Sequence, residues 1–408
     1  MFEAKLRSYA RLVVEVGVNI QKGQYLMIRT PLEGAYFARE LAKCAYEVGA
    51  KRVFVEYSDE QMTKITYNSA SEEALEEYPS WIAQGLTELA ERNAAFISIS
   101  AGDPDLLKGV DTNKIVAAQK AAGKALATFR KYMSNSDVPW CVVSIPTPLW
   151  SKKLFPHASE EEGEKLLWDK IFEATRIHEK DPVQAWKEHV ARLEEKCRFL
   201  NEKKLCKLHY KAPGTDLWVE LPPGHIWEGG GENSSKGIYF VANMPTEEIF
   251  TMPSKYGVNG TLASTKPFSY GGNIIDKFVL TFEKGKVVAC QAEEGEELLK
   301  KLLETDEGAS YLGEVALVPH SSPVSGTGML FFNTLFDENA SCHFAFGNSY
   351  PTTLKGGTTM TEEELEAHGA NTSIIHEDFM VGGPHLSIEG FTEKGESFYL
   401  FKEGEWAF

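Results

Sequence analysis

Between residues 24 and 145, short runs rich in β-branched and aromatic residues alternate with amphipathic helical stretches. Strands are predicted at 24–29, 51–57, 94–100 and 140–145, and helices at 33–48, 81–93 and 111–133. Successive strands separated by helices cannot pair as hairpins. They form a mostly parallel, doubly wound sheet covered by helices. Two more helices follow, at 160–177 and 181–203; Asp181 is the N-cap of the second, with Pro182 in its first turn.

From residue 205 the pattern changes. Short strands are punctuated by Pro213-Gly214, Pro222-Pro223-Gly224, Gly229-Gly230-Gly231 and Gly271-Gly272, all turn signals. The expected architecture is therefore α/β in residues 1–204 and strand-rich α+β in residues 205–408, and 408 residues suit two domains. The net charge of −17 argues against nucleic acid as a partner. Charges interrupt every apolar run well before the ~18 residues of a membrane span. The N-terminus carries Lys5, Arg7, Arg11 and Glu15 in place of an export signal, so a cytoplasmic protein with six free cysteines is expected. Without a G-x-G-x-x-G after a strand, a phosphate loop, H-E-x-x-H or G-x-S-x-G, dinucleotide enzymes, P-loop enzymes, thermolysin-like proteases and serine hydrolases are disfavoured.

Four islands in the second half carry donors beside apolar stretches. They are Glu247-Glu248, Glu314, Glu338 with His343, and His376-Glu377-Asp378. A strand over 374–381 puts His376 and Asp378 on one face and Glu377 on the other. Likewise Phe344 and Phe346 turn to a core while His343 and Ala345 turn away. Each island alone has an ordinary explanation as a solvated acid or a hydrogen-bonded histidine. Converging, they hold too much negative charge to be buried unpaired, and a pair of divalent cations is the usual remedy. That arrangement suits a two-metal hydrolase. Either Glu247 or Glu248 serves as ligand, leaving the other as general base or support. Tyr350 follows His343 closely enough to donate to an oxyanion, or else to pack as a core aromatic.

The segments 243–250, 312–318, 334–343 and 375–382 together resemble the aminopeptidase T/aminopeptidase S family of two-metal, thermophilic-type aminopeptidases. The islands occur in the family's order, and the likeness spans essentially the whole chain. It implies metal ligands at Glu248, Glu314, Glu338, His343, His376 and Asp378, a catalytic Tyr350, and Glu247 free for another role. It implies two divalent ions and a homodimer enclosing the site; the mixed carboxylate and imidazole donors themselves accept zinc, cobalt, manganese or iron. It also implies release of N-terminal residues from short peptides with a free amine. Two other readings fit the residues: a two-metal amide or ester hydrolase of non-peptide substrates, and a non-catalytic metal- or peptide-binding protein.

Overall fold

The computed structural model describes residues 2–270 and 273–408. It divides into two compact units, Met1–Glu188 with Gly231–Pro245, and His189–Gly230 with Thr246–Phe408. This partition differs from a cut between residues 204 and 205. It falls within the helix Pro182–Lys203, and the segment Gly231–Pro245 returns to the first unit. That return has a backbone cause: Val241 N–H donates to the Gly17 carbonyl and Met244 N–H to that of Val142, at 2.8 and 2.9 Å.

The first unit is the parallel α/β layer expected. Its sheet runs Arg52–Ser58, Tyr25–Pro31, Ala95–Ile99, Trp140–Val143 in spatial order, every pair parallel. Ala83, Leu86, Phe96 and Phe129 pack one face with the helices Ser80–Glu91 and Ala127–Ser134. The helix Ala35–Val48 ends at Gly49, whose φ of 110° reverses the chain as a left-handed cap. The single helix expected over 111–133 is instead two, Thr112–Ala125 and Ala127–Ser134, which meet at Leu126. Leu126, at the break, and Phe129 both join the buried cluster, a tertiary gain that local periodicity does not show.

Among the described residues, the second unit contains two large antiparallel sheets beside a small one that pairs Phe268–Tyr270 with Asn273–Ile275. One large sheet has eight strands. The other has five, ordered His376–Met380, His343–Gly347, Leu312–Leu317, Ile249–Thr251, Glu228–Gly229. Leu208, Tyr210, Leu217 and Val219 of the larger sheet share one apolar cluster with Ile249, Val315, Leu317, Phe344, Phe346 and Phe379 of the smaller. Strand alternation therefore commits the other face of the five-stranded sheet to different residues. No described helix is long and apolar enough to cross a membrane. The six cysteines are free, as expected.

Candidate metal centre

The face of the five-stranded sheet turned from the apolar cluster carries Glu248, Glu314, His343, His376 and Asp378. Registry brings them together. Glu314 pairs with Ala345, which pairs with Asp378; His343 pairs with Ala316 and Met380; His376 pairs with Gly347. Ala316 and Ala345 are the small residues between the donors, so the face is open where the donor atoms meet.

Glu314 reaches that face through a backbone irregularity. Residues 312 and 314 of a regular strand share a face, yet Leu312 lies in the apolar cluster and Glu314 does not. The register shifts between them, at Gly313. A β-carbon there would meet the carbonyl oxygens of Gly347 and Asn348, both at 2.3 Å. Glycine thus permits the bulge that turns the carboxylate over.

The donor atoms lie close. His343 Nε2 is 3.2 Å from Glu248 Oε2 and 3.6 Å from Glu314 Oε1. His376 Nε2 is 3.3 Å from Glu314 Oε2 and 3.5 Å from Asp378 Oδ1. Two groups result, Glu248–Glu314–His343 and Glu314–His376–Asp378, each with ligand atoms within 4.8 Å of one another. Glu314 belongs to both.

Glu338 is in neither group but stands beside them. Burial first, then Glu248 and Asp378, push its carboxyl well above the ordinary range. The Asn339 amide, fully buried, donates to Glu338 Oε1 at 3.4 Å, and its oxygen accepts the Glu247 N–H at 2.7 Å. Asn339 thus ties two islands together, a role nothing in its sequence setting announces.

Both imidazoles are oriented from behind. His343 Nδ1 lies 3.1 Å from the Ser341 carbonyl oxygen, and His376 Nδ1 2.7 Å from that of Asn348. A carbonyl only accepts, so the hydrogen sits on Nδ1 and the neutral ring turns an Nε2 lone pair to the carboxylates. Lone pair then faces lone pair at 3.2–3.6 Å, and only a proton or a cation can mediate. Asp378 Oδ1 is buried with no hydrogen-bond partner. Among the described residues, no lysine or arginine forms an ion pair with these acids. Mixed carboxylate and imidazole donors around such a gap fit divalent metal ions.

Protons fill the gap when metal does not. Burial lowers the His343 imidazole, but Glu248 and Glu314 outweigh it and raise it well above its usual range. His376 is raised too, by Tyr350, Asp378 and Glu314 against burial. Burial raises Glu248 despite His343. Glu314 is buried, yet its two histidines pull it down to about 2. The raised groups stabilise metal-free protein most below their unfolded values, and that stability is lost as pH rises through the folded ones. Glu314 acts oppositely: its contribution is present above its unfolded value of about 4.5 and lost as pH falls towards about 2. Metal binding requires the imidazoles deprotonated. The melting-temperature gap between metal-loaded and chelated protein should therefore widen from about pH 6 to about pH 9. A gap constant over that range would show that the imidazoles do not compete for protons and metal.

Tyr350 packs near the centre, its ring tilted 4.8 Å from that of His376 and edge-on at 6.0 Å from that of Phe250. His376 pulls its phenol down, but burial and the carboxylates Glu314, Asp378 and Glu338 leave it raised, hence protonated and able to donate. Glu247 does not join the donor groups. Its carboxylate lies 3.6 Å from His189 Nε2, which is itself 2.8 Å from the Thr246 carbonyl oxygen. His189 is a second residue the sequence reading missed; it sits on the helix Pro182–Lys203 among ordinary helical residues.

Fold and donor set together suit a metal-dependent hydrolase. The chain belongs to the thermophilic metalloprotease (M29) family, whose profile matches residues 2–406. It is 52% identical over 407 residues to aminopeptidase AmpS of Bacillus subtilis, covering 100% of this chain and 99% of that one. It is 50% identical to aminopeptidase 2 of Geobacillus stearothermophilus, covering 100% and 98%. The solved structure of wild-type AmpT from Thermus thermophilus superposes with a TM-score of 0.94 at 38% identity, over 100% of both chains.

Proposed function

We propose that this chain is a metal-dependent aminopeptidase that releases the first residue of short peptides. The observation that carries the reading is the pair of donor groups sharing Glu314, two adjacent sites on one buried sheet face. Glu248 and His343 would hold one divalent ion, His376 and Asp378 the other, with Glu314 between them and Glu338 completing the set. Bound ions would supply Lewis acidity towards the scissile carbonyl and the attacking water. Zinc, cobalt and manganese all suit these donors.

The chain's own residues do the rest. The Nδ1 hydrogen bonds to the Ser341 and Asn348 carbonyls fix both imidazoles. Tyr350 donates its phenolic hydrogen to the carbonyl oxygen as negative charge develops there. Glu247, beside His189, takes the proton released during attack or meets the substrate's free amine.

The test compares a metal-loaded sample on aminoacyl p-nitroanilides and on their N-acetylated forms. The free-amine substrates should be cleaved and the acetylated ones left intact. Cleavage of both equally would point to a general amide hydrolase, and cleavage of neither to a binding protein.

A further inference from the structure

One half-buried carboxylate on the donor face is not used by this chemistry. Glu228 lies in the strand Glu228–Gly229 at the sheet's edge, paired with Phe250, which pairs with Ala316, which pairs with His343. All four side chains share one face, since paired residues point the same way. Burial raises the Glu228 carboxyl, and the neighbouring Thr352 hydroxyl only partly offsets it. Among the described residues, no lysine, arginine or histidine forms an ion pair with Glu228. A carboxylate held in that state gains from any cation brought to it.

The segment that carries Thr352 also carries Tyr350, whose ring packs edge-on to Phe250. Glu228 and Phe250 therefore flank the proposed reaction centre on the side where Tyr350 stands. Strands are about 4.8 Å apart, so Glu228 lies two strands, roughly 10 Å, from the strand of Glu314. A substrate's α-amine is too near its scissile carbonyl to span that distance. A long side chain on the same residue is not.

We propose that Glu228, with Phe250 as its apolar wall, selects substrates whose first residue carries a long cationic side chain, lysine or arginine. This rests on the aminopeptidase reading. The aliphatic stem lies along the Phe250 ring while the terminal ammonium or guanidinium meets the carboxylate.

The test uses the metal-loaded full chain and three p-nitroanilides, of lysine, norleucine and alanine. Norleucine keeps the four-carbon stem and lacks the charge. The parent should show kcat/KM for lysine at least about tenfold above norleucine, a gain of the size a charge-assisted contact gives. Glu228→Gln should abolish that ratio while norleucine turnover stays near parental. A parental ratio near or below one overturns the proposal without any variant, whether or not Glu228→Gln folds. A high ratio unchanged in Glu228→Gln also overturns it, as does an equal loss on all three substrates, which would mark Glu228 as structural. If the parent cleaves none of them, the aminopeptidase reading itself fails.

Discussion

Glu314→Gln should lose bound metal and activity together. The substitution keeps the shape of the side chain and removes one charge from the carboxylate that belongs to both donor groups. It also replaces an acceptor with an amide that can donate. The amide nitrogen would stand 3.3–3.6 Å from the lone pairs of His343 and His376 and engage one of them. Outer-shell partners of a metal site already cost about 10- to 100-fold in affinity or activity, so loss of the shared ligand should lower kcat/KM by roughly 10²-fold or more. Elemental analysis of the purified variant should show the metal content fallen in step. Glu377→Gln serves as the control. Glu377 is adjacent to two donors in sequence, but strand alternation turns it to the opposite face. A Glu314→Gln protein with full metal content and parental activity would falsify the shared-ligand arrangement.

The contrast between Glu314 and Glu377 shows what the sequence could and could not reveal. The H-x-D spacing is a strand-period statement, so it places His376 and Asp378 together and expels Glu377. His343 against Phe344 is legible for the same reason. Glu314 is different. Regular alternation would have put it on the face of Leu312, in the apolar cluster, and only the bulge at Gly313 corrects this. A glycine inside a strand is a signal for such a bulge, but it does not say which way the chain turns. Asn339 and His189 were invisible because their roles depend on contacts across long sequence separations, Asn339 with Glu247 and His189 with Thr246.

The fold divides along the same line. The strand-helix alternation gives the parallel sheet, because a helix between successive strands returns the chain to the same end of the sheet and so makes them parallel. The return of Gly231–Pro245 to the first unit rests on backbone hydrogen bonds to Gly17 and Val142 that no local pattern encodes. The break at Leu126 is likewise a packing result, since residues 111–133 satisfy helical periodicity without interruption.

Tyr350→Phe should separate chemistry from metal binding. The phenylalanine ring still fills the space between His376 and Phe250, so packing and metal content should stay near parental. Only the phenolic donor is lost. Its hydrogen is secure in the parent, because burial and the carboxylates around it outweigh the pull of His376 and keep the phenol protonated. A donor that meets charge developing in the transition state affects kcat more than substrate binding. Deleting one such donor typically costs on the order of 10²- to 10³-fold in kcat. That loss should appear with KM little changed and a melting temperature close to the parent's. Near-parental kcat would reduce Tyr350 to a packing residue and leave the oxyanion to another group. Loss of metal in the same variant would instead place the phenol oxygen among the ligands, a different role for the same ring beside His376.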